Sequence, residues 1–268
     1  METKACCKIN IGLNVLRRRE DGYHDICTLM YPVKELYDTV EVKRADRVSF
    51  SACGIAVDCR PEDNLCLKAY RLLNDEFGIG GAEIRLDKRI PFGAGLGGGS
   101  SDAAAVLRAL NDIYGLNLSD EALELRAARI GSDAPFFVRG VPRICEGRGE
   151  IMALSPIDLS GMYLLMVKPP YGVSTRQAYS GIVPASPTQT LGLLLSQDVH
   201  TWKGNLSNDF EKTVFALYPE LALLKNAMYE AGAVYAAMSG SGSTVFGLFC
   251  EKPKAEFGPE MFRFTARL

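Results

Sequence analysis

The chain has 268 residues, 47% of them hydrophobic, which is enough to bury a large core in one or two domains. Its formal net charge is only −2, so no overall basic field attracts it to nucleic acid or a membrane, and an anionic ligand must be held by local groups. The eight cysteines are a small fraction of a long chain that lacks a secretory signal, which argues against a disulfide scaffold. They show no paired CxxC spacing and only two histidines accompany them, which argues against a structural zinc site.

No apolar stretch approaches the length of a bilayer span, and the polar start of the chain lacks the apolar core of a secretory signal. We therefore expect a cytoplasmic protein with reduced thiols that binds neither nucleic acid nor membrane.

In the first half of the chain, hydrophobic periodicity alternates between the strand and helix periods. It predicts strands over 8–16, 36–50 and 83–90, and helices over 64–77 and 102–110. Ser119 is placed to cap a further helix, and Gly131 to end it before a turn at Asp133.

A stretch containing Ser, Pro and Gly at 155–161 resets the pattern, which predicts two domains, 1–155 and 156–268. Beyond it we predict strands over 162–168 and 245–249, and helices over 205–217 and 220–230. A short helix capped by Ser174 or Thr175 follows the Pro169-Pro170 pair. This order of strands and helices predicts the α+β fold class.

Residues 91–102, PFGAGLGGGSSD, form the most informative segment. Glycines leave backbone N–H groups unshielded and permit positive φ, so the loop can wrap an anion while the following helix points its positive end at it. The position between a strand and a helix favours phosphate binding over an ordinary flexible turn. No Gly-Lys-Ser or Gly-Lys-Thr closes the loop and the glycine spacing is not that of a dinucleotide-binding fingerprint, so a different nucleotide-binding class is needed.

Together with that loop, four other segments resemble the GHMP kinases, which phosphorylate small alcohols with ATP. They are 8–13 (KINIGL), 21–24 (DGYH), 131–137 (GSDAPFF) and 237–243 (AMSGSGS). DGYH behind KIN, with GSDAP downstream, is similar to the branch that acts on 4-diphosphocytidyl-2-C-methyl-D-erythritol in the non-mevalonate route to isoprenoids. One departure is visible: that branch usually has Pro-Ala before the lysine, and this chain has Cys6-Cys7. We expect the strand to survive, because both replacements are small.

The resemblance implies a two-domain GHMP kinase fold, with a ribosomal S5 domain 2-like N-terminal domain that binds ATP and a ferredoxin-like C-terminal domain. The substrate cleft is expected between them. The implied ligands are ATP, Mg²⁺ and a small cytidine diphosphate substrate, with no protein ligand of the metal assigned. The implied assembly is a monomer or a weak homodimer.

The resemblance implies that Asp133 is the catalytic base, and the alternative from the residues alone is that it caps a short helix beginning at Pro135. Lys8 is the matching lysine, whose charge could keep the Asp133 carboxylate ionised and stabilise developing negative charge. A lysine at a strand start is otherwise usually solvated. Asn10 would offer an amide to the substrate or to Asp133.

Tyr23 and His24 suit a cytosine, because an aromatic face can stack on the base and an imidazole can hydrogen-bond to its edge. The resemblance implies a second aromatic residue opposite them, and the spacing from Ser174-Thr175 selects Tyr179. Thr175 is itself assigned to the substrate. The alternatives are that Tyr179 packs into the core, or that Tyr171 takes this place.

The remaining site residues are assigned by position in the matching motifs. Ser239 and Gly240 belong to a turn that supports the glycine-rich loop, contacts substrate phosphates, or is a plain tight turn. The predicted ATP-binding residues are Asn64, Leu65 and Lys88 on the adenine side, and Pro91, Gly93, Ala94, Gly95, Leu96, Gly97, Gly98, Gly99, Ser100 and Ser101 around the phosphates.

The sequence therefore predicts ATP-dependent phosphorylation of the 2-hydroxyl of 4-diphosphocytidyl-2-C-methyl-D-erythritol. The alternatives are another GHMP kinase acting on a smaller alcohol, such as homoserine, and a catalytically silent protein of this fold that senses a metabolite. The Tyr23-His24 pair argues against the first, because a small aliphatic substrate has no base to stack on. Lys8 and Asp133 argue against the second.

Overall fold

The computed structural model describes residues 1–57 and 59–268. Its strands are β1 (Glu2–Arg18), β2 (His24–Ala45), β3 (Ser49–Gly54), β4 (Gly81–Lys88), β5 (Arg143–Gly147), β6 (Ile151–Leu154), β7 (Tyr163–Lys168), β8 (Tyr235–Met238), β9 (Val245–Phe249) and β10 (Phe262–Arg267). Its helices are α1 (Leu65–Phe77), α2 (Gly98–Tyr114), α3 (Asp120–Ala127), α4 (Ala134–Arg139), α5 (Thr175–Tyr179), α6 (Leu191–Leu195), α7 (Phe210–Leu217) and α8 (Pro219–Glu230), with a 3₁₀ turn at Val199–Thr201. The α+β class is confirmed.

The chain divides into two compact units whose segments alternate along the sequence. Unit 1 consists of 1–8, 32–92 and 97–141, and unit 2 of 9–31, 93–96 and 142–268. Strands β1 and β2 and the glycine-rich loop therefore each contribute residues to both units. The predicted boundary after residue 155 lies inside unit 2, and the division into domains 1–155 and 156–268 stays a prediction.

In unit 1, β4 pairs antiparallel with β2 over 39–45 and parallel with β3. Alternate residues of β4 are buried, as the predicted strand requires, and helices α1 and α2 pack against each other. Helix α1 begins where the Asn64 side chain accepts the N–H groups of Cys66 and Leu67, and it ends at Gly78. This arrangement holds the end of β4 and the start of α2, which flank the glycine-rich loop.

In unit 2, β7 to β10 form an antiparallel sheet in the order β10-β7-β9-β8. Numbered along the chain this is 4-1-3-2, the ferredoxin-like order expected for the C-terminal region. Helices connect β7 to β8, whereas residues 250–261, all of them described, contain no helix between β9 and β10. Pro253 and Pro259 account for this difference, because proline lacks the N–H donor that a helix interior needs.

The first part of β2 belongs to unit 2 as well. Over 26–30 it pairs antiparallel with β5, which in turn pairs with β6. The hydrophobic core of this unit includes Leu13, Val15, Ile26, Leu165, Val167, Phe210, Val214, Leu221, Met228, Val245 and Phe249.

Most predicted elements are confirmed, and their ends differ for local reasons. Helix α2 begins at Gly98 rather than residue 102, because glycines hide a helical turn from periodicity. Helix α7 begins at Phe210 rather than residue 205, because the Asn208 side chain accepts the Phe210 N–H at 3.0 Å and turns the chain there. Helix α3 has the predicted Ser119 cap but ends at Ala127, before Gly131. Across residues 1–57 and 59–268, we find no helix with the length and apolar character needed to cross a membrane.

Candidate active site

Lys8 and Asp133 form an ion pair within unit 1. Strand β1 carries Lys8, and Asp133 lies immediately before α4. The Lys8 Nζ atom lies 3.5 Å from Asp133 Oδ2, and the side chains are 3% and 32% exposed, respectively. The carboxylate makes no capping hydrogen bond to α4 among the described residues, so the structure gives no support to the capping alternative. Asp133 thus keeps a partly exposed carboxylate beside a nearly buried ammonium.

The Cys6-Cys7 departure leaves Lys8 on a regular strand. Strand β1 runs unbroken from Glu2 to Arg18, so the expectation that the strand survives is confirmed. Burial raises the pKa of Cys6 to about 11 and that of Cys7 well above its ordinary value. Both thiols therefore stay protonated near neutral pH and place no negative charge behind Lys8.

The start of α2 is built to accept an anion. Gly97 occupies the N-cap position with a φ of 72°, and no acidic residue lies in the first turn. The N–H groups of Gly98, Gly99 and Ser100 are in the first turn and have no acceptor within the helix. They add to the positive end of the helix dipole, which favours phosphate.

Gly97 also brings Lys8 to this helix end. A Cβ atom at Gly97 would lie 2.7 Å from the Phe137 ring and 3.3 Å from Lys8 Cε. The Lys8 stem therefore passes directly beside the N-cap of α2. Within unit 1, the Lys8–Asp133 ion pair therefore lies next to a helix N-terminus that is suited to bind phosphate.

The middle of the glycine-rich loop lies in unit 2, where the turn after β8 holds it. The Ser239 hydroxyl donates to the Gly95 carbonyl at 2.9 Å and accepts the Asn10 N–H at 3.3 Å. The Thr244 N–H donates to the Ala94 carbonyl at 3.2 Å. A Cβ atom at Gly95 would lie 2.0 Å from the Ser239 carbonyl oxygen, so only glycine allows this approach. Of the alternatives for the Ser239-Gly240 turn, these contacts favour support of the loop.

Asn10 is held in place by a threonine on the neighbouring strand. Its Nδ2 atom donates to Thr28 Oγ1 at 3.1 Å, and the Thr28 hydroxyl donates to the Gly12 carbonyl at 2.6 Å. Asn10 is 2% exposed, so its amide has a fixed orientation rather than a solvated one.

The predicted base-binding side chains gather in unit 2. The His24 and Tyr179 rings stack with centroids 4.6 Å apart and an interplanar angle of 20°. Tyr23 is 55% exposed, and the guanidinium of Arg148 lies 5.0 Å from its ring centroid. Burial, and secondarily the charge of Arg18, lower the pKa of His24, so the imidazole is neutral near pH 7.

Tyr171 is engaged elsewhere. Its ring stacks on Tyr218 with centroids 5.2 Å apart, and its hydroxyl donates to Glu220 Oε1 at 2.5 Å. Between the two tyrosines left open by the sequence, the contact with His24 therefore favours Tyr179.

Two family models match the chain: "GHMP kinases N terminal domain" over residues 64–141 and "GHMP kinases C terminal" over 190–264. A 4-diphosphocytidyl-2-C-methyl-D-erythritol kinase from Parabacteroides distasonis is 48% identical over 92% of this chain and 90% of its own length. The chain belongs to the GHMP kinases. A second kinase of that name, from Bacteroides thetaiotaomicron, is 45% identical over 97% of both chains.

Solved structures agree with this placement. A crystal structure of 4-(cytidine 5'-diphospho)-2C-methyl-D-erythritol kinase has a TM-score of 0.77 and 36% identity, over 92% of this chain and 90% of that one. A homoserine kinase from Cytophaga hutchinsonii has a TM-score of 0.65, 20% identity and coverage of 92% and 85%, and it shows the shared fold alone.

On the predicted adenine side of this GHMP kinase, unit 1 contains a cavity of about 400 Å³. Asn64 lines it, as do Val57, Cys59, Leu67 and Tyr70. The Asn64 side chain also caps α1, so α1 fixes the position of its amide. Lys88, predicted for the same side, is 4% exposed and paired with two carboxylates.

Sequence reasoning missed several buried polar residues of this GHMP kinase. Asn208 Nδ2 donates to the carbonyls of Met238 and Gly240, both at 2.8 Å, and so fixes the turn that holds the loop. Asp38 and Asp102 are the partners of Lys88. The available signal was spacing: Asp38 falls between Leu36 and Val40 on the apolar face of an alternating strand, and Asp102 directly precedes the alanine-rich part of α2.

Proposed function

We propose that this chain transfers the γ-phosphoryl group of ATP to the 2-hydroxyl of 4-diphosphocytidyl-2-C-methyl-D-erythritol, giving the 2-phosphate and ADP. The observation that carries the proposal is the Lys8–Asp133 ion pair beside the N-cap of α2. Relatives that bear the name of this kinase, at 40% to 48% identity, support the choice of substrate.

The groups in unit 1 bind ATP and act on the acceptor hydroxyl. The amides at the start of α2, with the Ser100 and Ser101 hydroxyls, bind the phosphate oxygens of ATP. The Asp133 carboxylate accepts the proton of the acceptor hydroxyl, or orients it toward the γ-phosphorus. Lys8 offsets the negative charge that builds up as the phosphoryl group moves.

The groups in unit 2 recognise the cytidine end of the substrate. Cytosine stacks on the aromatic faces of Tyr23 and Tyr179 and hydrogen-bonds to the neutral His24 imidazole. Thr175 contacts the rest of the substrate, whereas the Ser239-Gly240 turn supports the glycine-rich loop. A neutral imidazole suits this task because it offers one donor and one acceptor to the base edge.

Mg²⁺ fits this site as an ion carried by ATP. Among residues 1–57 and 59–268, no group of three or more His, Cys, Asp or Glu side chains could hold a metal. Magnesium in kinase sites takes most of its ligands from substrate phosphates and water, with one or two carboxylates. When bound, it would neutralise phosphate charge, and the partly exposed Asp133 is the carboxylate that could face it.

The test is substrate-dependent ADP formation by the purified chain with ATP, magnesium and either the cytidyl compound or homoserine. Turnover on the cytidyl compound, with phosphorus NMR showing a new phosphate monoester at the 2-position, is the expected result. Turnover on homoserine alone would refute the substrate assignment. ATP binding without turnover on either alcohol would favour the metabolite sensor.

A further inference from the structure

A buried charge cluster lies under the start of α2. Asp38 lies on β2, Lys88 is the last residue of β4, and Asp102 lies in the second turn of α2. Lys88 Nζ donates to Asp102 Oδ2 at 2.7 Å and, through a shorter contact, to Asp38 Oδ2. Exposures are 0% for Asp38, 4% for Lys88 and 2% for Asp102. Proteins rarely bury three ionisable groups together without a specific need.

The cluster connects the two ends of the glycine-rich loop. Before the loop, Asp38 Oδ1 accepts the backbone N–H groups of Arg89 at 2.5 Å and Ile90 at 2.8 Å. After the loop, Lys88 holds Asp102, and a Cβ atom at Gly98 would lie 2.9 Å from Lys88 Nζ. The ammonium therefore lies beside the first residue of α2. Residues 88–90 and 98–102, all in unit 1, are fixed relative to each other by one set of polar contacts.

One ammonium cannot neutralise two buried carboxylates. Burial raises the pKa of Asp102 to about 8; Lys88 opposes this increase and Asp38 adds to it. Asp102 Oδ1 is buried and makes no hydrogen bond among the described residues, which is costly for an ionised oxygen. Asp102 is therefore protonated near pH 7, and the cluster is then neutral overall.

We propose that Asp38, Lys88 and Asp102 are positioning residues that set the affinity for ATP by holding both ends of the phosphate-binding loop. The inference rests on the proposed binding of ATP phosphates at this loop. In this arrangement Lys88 acts through the backbone rather than through contact with the nucleotide. A loop held at both ends loses less conformational freedom when phosphate binds, so the first-turn amides of α2 are already aimed at the anion.

The primary test is the dissociation constant of ATP–magnesium, measured by calorimetry near pH 7 without an acceptor alcohol. Asp102→Ala removes the link to α2 but leaves the neutral Asp38–Lys88 pair, and we expect affinity to fall about 10- to 100-fold, the range for misplaced binding groups. Asp102→Asn keeps a hydrogen-bonding side chain of the same shape and charge as the protonated acid, and should stay within about threefold of wild type. Lys88→Met should weaken binding as Asp102→Ala does.

Asp87→Asn is the matched control, because Asp87 lies on the same strand in an exposed ion pair with Arg89. It should bind ATP as wild type does, since exposed pairs contribute little. Equal ATP affinity for Asp102→Ala and Asp102→Asn would overturn the proposal. If Lys88→Met does not fold, the two Asp102 variants decide the matter. If wild type binds ATP but does not turn over the cytidyl compound, the proposed substrate is refuted and this test still applies. If wild type does not bind ATP, the proposed function and the proposed role of the cluster are both refuted.

The pH dependence of binding is a second readout that a merely structural role would not change. Above about pH 8, ionisation of Asp102 places negative charge beneath the helix end that binds phosphate. The groups facing Asp102 are Lys88, Asp38 and Cys66, and burial raises the pKa of the Cys66 thiol well above its ordinary value. ATP affinity of wild type should therefore weaken between about pH 7 and pH 9, and Asp102→Asn should not show this loss. Parallel profiles for the two proteins would contradict the proposal.

Discussion

Replacing Asp133 with asparagine is the sharpest test of the phosphoryl-transfer constellation. The substitution keeps the shape of the side chain but removes the negative charge 3.5 Å from Lys8 Nζ. At that separation and an effective dielectric constant of about 20, the attraction amounts to about 5 kcal/mol before solvent screening. Because Asp133 is 32% exposed, water reduces this figure, and the loss of the base dominates the effect.

A positioned base contributes about 10²- to 10⁴-fold, or roughly 3 to 5 kcal/mol of barrier at 1.36 kcal/mol per tenfold. We therefore expect Asp133→Asn to lower kcat by a factor within that range. The KM for ATP should change less than about threefold, because the first-turn amides of α2 are untouched. Initial rates of ADP release measure both constants.

Two controls separate catalysis from stability. Asp120→Asn removes a carboxylate 3.2 Å from Arg139 that is 54% exposed, and it should leave kcat unchanged. Asp133 makes no capping hydrogen bond among the described residues, so Asp133→Asn should not show the loss of about 1 kcal/mol that removing a cap causes. A folded Asp133→Asn enzyme that retains more than about a tenth of the wild-type kcat would refute the role of base.

Three further substitutions test the loop and the cytosine site. Gly97→Ala adds a methyl group 2.7 Å from a phenylalanine ring and should weaken ATP binding at least about tenfold by calorimetry; Gly115→Ala, with a similar positive φ and nothing within 4 Å, should not. Tyr179→Leu should raise KM for the cytidyl substrate about 5- to 150-fold, the range for one lost stacking contact, whereas an equal effect of Tyr171→Leu would contradict the assignment. The KM for that substrate should also rise as pH falls below the ordinary imidazole pKa of about 6.5, because His24 then becomes protonated, and His24→Gln should abolish this rise in steady-state assays.

The sequence predicted the elements that carry the site because their signals are local. Ser119 and Ser174 cap the helices they were expected to cap, since a side chain and the N–H groups it accepts are close in sequence. The glycine-rich loop was interpretable for the same reason. Lys8 and Asp133 are far apart in the chain, and only the resemblance to GHMP kinases paired them before the 3.5 Å contact was seen.

Residues that act across the fold could not be found from local patterns. Asp38, Lys88 and Asp102 come from two strands and a helix, and no pattern within one element shows that the three side chains meet. Strand β10 alternates hydrophobic and polar residues after the Gly258-Pro259 turn signal, and this short run was overlooked in the sequence. The division into interleaved units could not be predicted from local patterns either, because β1 and β2 are long strands whose two parts belong to different units.

The distribution of burial separates rate from specificity in this GHMP kinase. Lys8 and the residues under the loop are nearly inaccessible, so we expect their effect on phosphoryl transfer to be the same whatever alcohol is offered. Tyr23, by contrast, is 55% exposed, and the His24 ring stacks on Tyr179. Substitutions in the first group should lower turnover on every acceptor by a similar factor, whereas those in the second should change the ratio between acceptors. Under the proposed function, we therefore expect selectivity for a cytidyl substrate to depend on Tyr23, His24 and Tyr179, and to change without rebuilding the phosphate-binding loop.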